Sequence, residues 1–254
     1  MRPPGGARHA AVLTALGLAI GGSGVVAQTT HPSSAERRLV LPGGITTGLT
    51  GSFWIAALAN GQSIPRHERL LIVAADGRVL DVVDGTKNGV LLPAGLSAVL
   101  ETRALDVTLV HNHPSPVGLS GSDLRQLVRK GVARIIAVGS DGSVYEAAPD
   151  ARIDRLDSTF YQAVRRRVED RLLTEAMWTG ESVESLAPHV CHLVSAVLQR
   201  VRVIDYRLTP SVGVRVDLDR YRDLFERVTS TEAFHLLKAL EAAAGTRAPS
   251  RGKD

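Results

Sequence analysis

The chain has 254 residues, 44% apolar and 22% charged, which is enough apolar material for a full core in one or two domains and too much for a disordered chain. Thirty Lys and Arg face 26 Asp and Glu, a net charge of +4, too nearly balanced to mark a nucleic-acid-binding protein. The one cysteine, Cys191, excludes an internal disulfide framework, a zinc ribbon, a Cys-ligated iron–sulfur centre and a dithiol redox pair, so a metal would have to sit on His, Asp or Glu.

Residues 1–27 carry Arg2 and Arg8 without an acid, an apolar run over 10–20, and small residues ending at Ala27. That is the layout of a secretory signal peptide, and it predicts an exported protein, periplasmic or secreted; without such a signal the location is cytoplasmic. The apolar run is shorter than the roughly 20 residues of a membrane span, although 21–27 could extend it into an uncleaved N-terminal anchor. Cleavage after Ala27 would leave 28 basic and 26 acidic residues. Residues 28–59 are rich in Gly, Thr, Ser and Pro and read as a linker with one short strand.

From 60 to 148 the pattern becomes that of a mixed α/β unit. Apolar runs at 69–74 and 78–83 flank Asp76-Gly77 and predict a hairpin with one well-buried strand. A short helix over 96–103 and a strand over 106–110 follow. Residues 123–130 place Leu124, Leu127 and Val128 on one helical face closed by Gly131, and a second hairpin turns at Asp141-Gly142.

After Pro149 the periodicity is helical. Phe160, Ala163, Val164, Val168, Leu172 and Met177 share one face, with Arg165, Arg166 and Arg167 mostly on a solvated opposite face. Further helices are expected over 187–201, with Pro188 in the first turn, and over 232–244 behind a Thr229/Glu232 capping box. Residues 246–254 read as a frayed tail. The fold class is therefore α+β: a mixed β-sheet flanked by helices, followed by a helical C-terminal region over 149–245.

Chemistry concentrates in the stretch HNHPSPVGLSGSD, from His111 to Asp123. Histidines at i and i+2, where a strand leaves its sheet, can aim both imidazoles at one point if the chain bends, and Pro114 and Pro116 favour a bend. Ser120 is placed to N-cap the next helix, which puts Asp123 in that helix's first turn. Two imidazoles and a carboxylate leave a fourth zinc position open, as in a catalytic site. A hydrolytic site also needs a proton acceptor; Glu68, just before the first sheet strand, is the better placed acid, with Glu101 as its rival. A bland reading remains, in which the histidines are loop residues satisfied by hydrogen bonds and Ser120 and Asp123 are only a capping box.

His111-x-His113 followed by Ser120-x-x-Asp123, with Glu68 upstream, resembles the motif of the JAMM (JAB/MPN) metalloprotease family, and the wording HNHPS is similar to its RadC-like bacterial branch. The resemblance covers residues 60–148, with a His113-to-Ser120 spacing one residue shorter than usual. It implies a JAB/MPN-like sheet, Zn2+ on His111, His113 and Asp123, Glu68 as general base, and Ser120 as a hydrogen-bond donor to the oxyanion. The expected activity is hydrolysis of a peptide or isopeptide bond in a protein or peptide substrate. In an exported compartment that includes peptidoglycan cross-peptides. Two other readings stay open: a non-catalytic binding or scaffolding module on the same fold, and a phage- or toxin-associated processing domain. The contiguity of His-Asn-His argues against an HNH nuclease, whose residues are dispersed through a ββα unit.

The remaining candidates are weaker. His189 and His192 flank Cys191 at helical spacing, where the thiol reads as a small apolar side chain and not as part of a second metal site. His235 reads as structural, and Trp54 and Trp178 as packing residues, since no basic–aromatic alternation marks a nucleic-acid platform.

Overall fold

The computed structural model describes residues 38–40, 46–50 and 67–245 apart from 88, 103 and 104. The expected signal segment, most of the linker including Trp54, and the 246–254 tail lie outside the described residues. Within the linker range two strands occur, β1 (Arg38–Val40) and β2 (Thr46–Thr50), paired antiparallel.

The main sheet has six strands, in the order β4 (Val79–Asp84), β3 (Arg69–Ala74), β5 (Val107–His113), β6 (Val132–Gly139), β7 (Val144–Pro149) and β8 (Ile204–Thr209). β3 (Arg69–Ala74) and β4 (Val79–Asp84) form the first hairpin, with Gly77 at φ 86°, a value that its lack of a Cβ permits. β3 is buried along its middle while β4, at the sheet edge, is largely exposed. Helix α1 (Ala94–Glu101) leads to β5 (Val107–His113), antiparallel to β3. β5 runs parallel to β6 (Val132–Gly139), so the chain must cross over between them, and the crossover carries the short helix α2 (Gly121–Gln126). β6 and β7 (Val144–Pro149) form the second hairpin around Gly142.

The region after Pro149 is not purely helical. Helices α3 (Ser158–Thr179), α4 (Val183–Leu186) and α5 (Val190–Arg200) are followed by β8 (Ile204–Thr209), which adds antiparallel to β7 as the outermost strand. Helices α6 (Val212–Arg220) and α7 (Arg222–Gly245) end the described chain. The expected cap at Thr229 does not exist: α7 runs through it, and Thr229 Oγ1 donates 2.9 Å back to the Phe225 carbonyl. Glu232 is instead buried between Arg167 (2.8 Å) and Arg171 (3.4 Å) of α3.

Strand alternation separates two cores. Leu70, Ile72, Leu109, Ile135 and Ala137 face one side with Leu100, Leu124, Val168, Leu193 and Val228 from the helices, so the helices after Pro149 share a core with the sheet. Leu71, Val73, Val110, Ile136, Val138 and Val144 form a second cluster. On α3 the buried face is Tyr161, Val164, Val168, Leu172 and Ala176; Met177 and Trp178, expected to pack, are 77% and 84% exposed.

Candidate metal centre

The odd-numbered residues of β5 face the helix-covered side, so His111 and His113 point the same way while Asn112 points to the other. Past His113 the prolines turn the chain, and Ser120 caps α2 as expected. Its hydroxyl accepts from the Asp123 amide, and the Asp123 carboxylate accepts the Ser120 amide at 2.7 Å. The box turns Asp123 back toward the end of β5, where its two oxygens lie 3.3 Å from His111 Nε2 and 3.4 Å from His113 Nε2.

The two Nε2 atoms are 2.9 Å apart. One atom from each residue, the two Nε2 and a carboxylate oxygen of Asp123, lies within 4.8 Å of the others, near enough to be gathered around one ion with bonds of about 2.0–2.1 Å. His113 Nδ1 lies 2.9 Å from the Val117 carbonyl, a pure acceptor, so Nδ1 donates and Nε2 is the nitrogen directed at the common centre, where it bonds Asp123 and would offer a lone pair to a metal once deprotonated. Both rings are buried, at 3% and 5% exposure. His111, His113 and Asp123 are also the one group of three such donors found among the described residues. Their chemistry fits a zinc ion, and Cys191 has no part in it.

Electrostatics follow from burial and proximity. Burial opposes ionisation of Asp123, but the charge of His111 and hydrogen bonds from both imidazoles outweigh it and hold the carboxyl well below its usual range. Burial pushes His113 down, but its bond to Asp123, the charges of Asp123 and Glu68 and the Val117 carbonyl together outweigh it, and the pKa is raised.

Glu68 immediately precedes β3, whose last pair with β5 is Leu70–His111, and it lines the same cleft as His111, His113 and Asp123, near enough for their charges to act on it. Burial raises its pKa, partly offset by His111 and His113. The rival Glu101 goes elsewhere: at 58% side-chain exposure it pairs with Arg129 at 2.6 Å, and so it is set aside as the proton acceptor. Ser120 and Glu68 both line a cleft of about 540 Å³ with His111, His113 and Asp123, walled by Leu70, Leu109 and Ile135. Ser120 Oγ is 2.7 Å from Ser122 Oγ.

Among the described residues the other histidines join no such group. His189 Nε2 points to Asp217 at 3.5 Å, His192 Nδ1 to the Tyr206 hydroxyl at 2.9 Å, and His235 is exposed on α7. Of the basic triplet, Arg165 pairs with Glu169 and Arg167 with Glu232. Two residues that shape the site had weak sequence signals. Asn112 bonds across to the segment holding Glu68, and its alternation within His-Asn-His was the one hint of its direction. Tyr161 packs against Gly121, the first residue of α2, from a distant helix. No family model, curated protein or solved structure matches the chain.

Proposed function

We propose that the protein is a zinc-dependent hydrolase of peptide or isopeptide bonds, with a JAB/MPN-like arrangement of its site. The observation that carries this reading is the convergence of His111, His113 and Asp123 beside a half-buried Glu68 of raised pKa. Zinc held by the three donors would supply Lewis acidity, lowering the pKa of a water to about 7 and polarising a carbonyl. Glu68 accepts the proton of the attacking water and returns it to the leaving amine, a double duty suited to a carboxyl with a pKa above its ordinary value. Ser120, at the cleft wall, keeps one hydroxyl proton to donate to the developing oxyanion while its lone pair caps α2. An exported location, expected from residues 1–27, would direct this chemistry at exported proteins or peptidoglycan cross-peptides.

One observation favours the non-catalytic module: the capping box is complete, so Asp123 has a structural role without a metal. That box does not explain why two buried imidazoles face the same carboxylate. Glu68→Gln separates the readings when zinc content is measured together with release of amines from peptide libraries and from peptidoglycan. The hydrolase reading expects full zinc with turnover abolished. Wild-type rates in Glu68→Gln remove Glu68 from the mechanism, and a stable wild type that takes up no zinc supports the scaffold.

A further inference from the structure

Asn112 stands between the two histidines, points to the opposite face of β5 and is 1% exposed. Its carboxamide is engaged at both ends: Oδ1 accepts the Arg69 amide at 2.7 Å, and Nδ2 donates to the His67 carbonyl at 3.0 Å. Those two main-chain groups flank Glu68. On the other side the Glu68 amide donates to the Thr86 carbonyl at 2.9 Å, and its own carbonyl accepts the Gly85 amide at 2.8 Å.

The location explains the device. The β3–β5 ladder stops at Leu70–His111, although β5 continues to His113 against β6, so residues 67–69 lie beyond its last pair. A side chain that continues the ladder must accept from one peptide and donate to a second, two residues away. A short carboxamide does both; a carboxylate only accepts, and a hydroxyl is too short to span both groups. Buried amide bonds of this kind fix the backbone that they join.

We infer that Asn112 is a positioning residue: its side chain splints residues 67–69 so that the Glu68 carboxyl is held in the cleft beside His111, His113 and Asp123. This inference rests on the hydrolase reading for its purpose, and on the two hydrogen bonds for its geometry. Catalytic groups lose about a hundredfold in effectiveness for a displacement near 1 Å, so a splint on the proton acceptor acts on the site without touching substrate or metal.

Two measurements on the full chain test it. In 15N-labelled, metal-free protein, Asn112→Ala should speed hydrogen exchange of the Arg69 amide at least about tenfold while Leu109, in mid-sheet, is unchanged. Asn112→Asp, which keeps the acceptor, should leave Arg69 protected and guards against a variant that fails to fold. The second measurement titrates Co2+-loaded protein with acetohydroxamate, whose hydroxyl proton needs a carboxylate acceptor beside the metal. Asn112→Ala should weaken acetohydroxamate roughly 10–100-fold with Co2+ affinity nearly unchanged. Glu68→Gln should weaken it as much, and the double variant no more than Glu68→Gln alone, because Asn112 acts through Glu68. Unchanged Arg69 exchange in Asn112→Ala, or additive losses in the double variant, would overturn the inference. A wild type that binds no Co2+ sinks the hydrolase reading and with it the purpose of the splint, while Arg69 exchange still decides whether the splint exists.

Discussion

The ring of Tyr161 occupies the space that a side chain on Gly121 would need: a Cβ built there falls 2.4 Å from Tyr161 Cε1. Gly121 opens the helix that carries Asp123, so a residue of α3 fixes how close that helix lies to the core. Arg125 of α2 adds a 2.6 Å bond to Ser158 at the start of α3. The helices after Pro149 therefore help to set the third candidate ligand in place.

Gly121→Ala is expected to cost about 1–3 kcal/mol through overpacking against a ring that is 2% exposed, and to weaken zinc binding by shifting α2. Urea unfolding with and without zinc checks this; unchanged stability together with unchanged zinc affinity would contradict the packing argument.

Tyr161 offers a second contrast. Its hydroxyl is buried without a hydrogen-bond partner of normal geometry, next to the Cys191 thiol. Tyr161→Phe should leave stability within about 1 kcal/mol of wild type, or raise it, since no hydrogen bond is lost. Tyr161→Ala should cost about 3–5 kcal/mol. A large loss in the Phe variant, read by thermal unfolding, would mean that the hydroxyl is bonded.

Much of this arrangement was legible in the sequence, and the rest depended on distant partners. The two Asp-Gly turns, the Ser120/Asp123 capping box and the shared direction of His111 and His113 are set within a few residues by local geometry. The Thr229/Glu232 pair has the letters of a helix cap but lies inside a helix, where the same letters also fit, and the buried Glu232 carboxylate is claimed by Arg167 and Arg171 on α3. The periodicity that points to Met177 is satisfied by Ala176, because two adjacent apolar residues lie about 100° apart on a helix and the smaller one meets the core. β8 does alternate, with Ile204 and Tyr206 inward and Asp205 and Arg207 outward. A strand preceded by a helix and followed by two more was hidden by the texture around it.

Glu101→Gln should leave zinc affinity and hydrolysis unchanged. Its exposed pairing with Arg129 limits the stability loss to below about 1 kcal/mol. Loss of turnover in this variant would return the proton-acceptor role to Glu101.

Acid should weaken the fold through His192. Burial, with the charge of His189, pulls its pKa from 6.5 down to about 4. Between those values the unfolded chain binds a proton that the folded one refuses, so stability falls as pH drops through the window. The contribution between pH 7 and pH 4.5 is roughly 2 kcal/mol, and His192→Gln should remove it. Urea unfolding at the two pH values measures the difference; an equal acid loss in wild type and variant would rule His192 out as its source.

Zinc counted per chain, by elemental analysis after chelation and reloading, bears most directly on the whole account. One zinc per wild-type chain is expected, with near-complete loss in both His113→Ala and Asp123→Asn while each variant remains folded. A wild type that retains no zinc, or variants that retain as much as wild type, would contradict it.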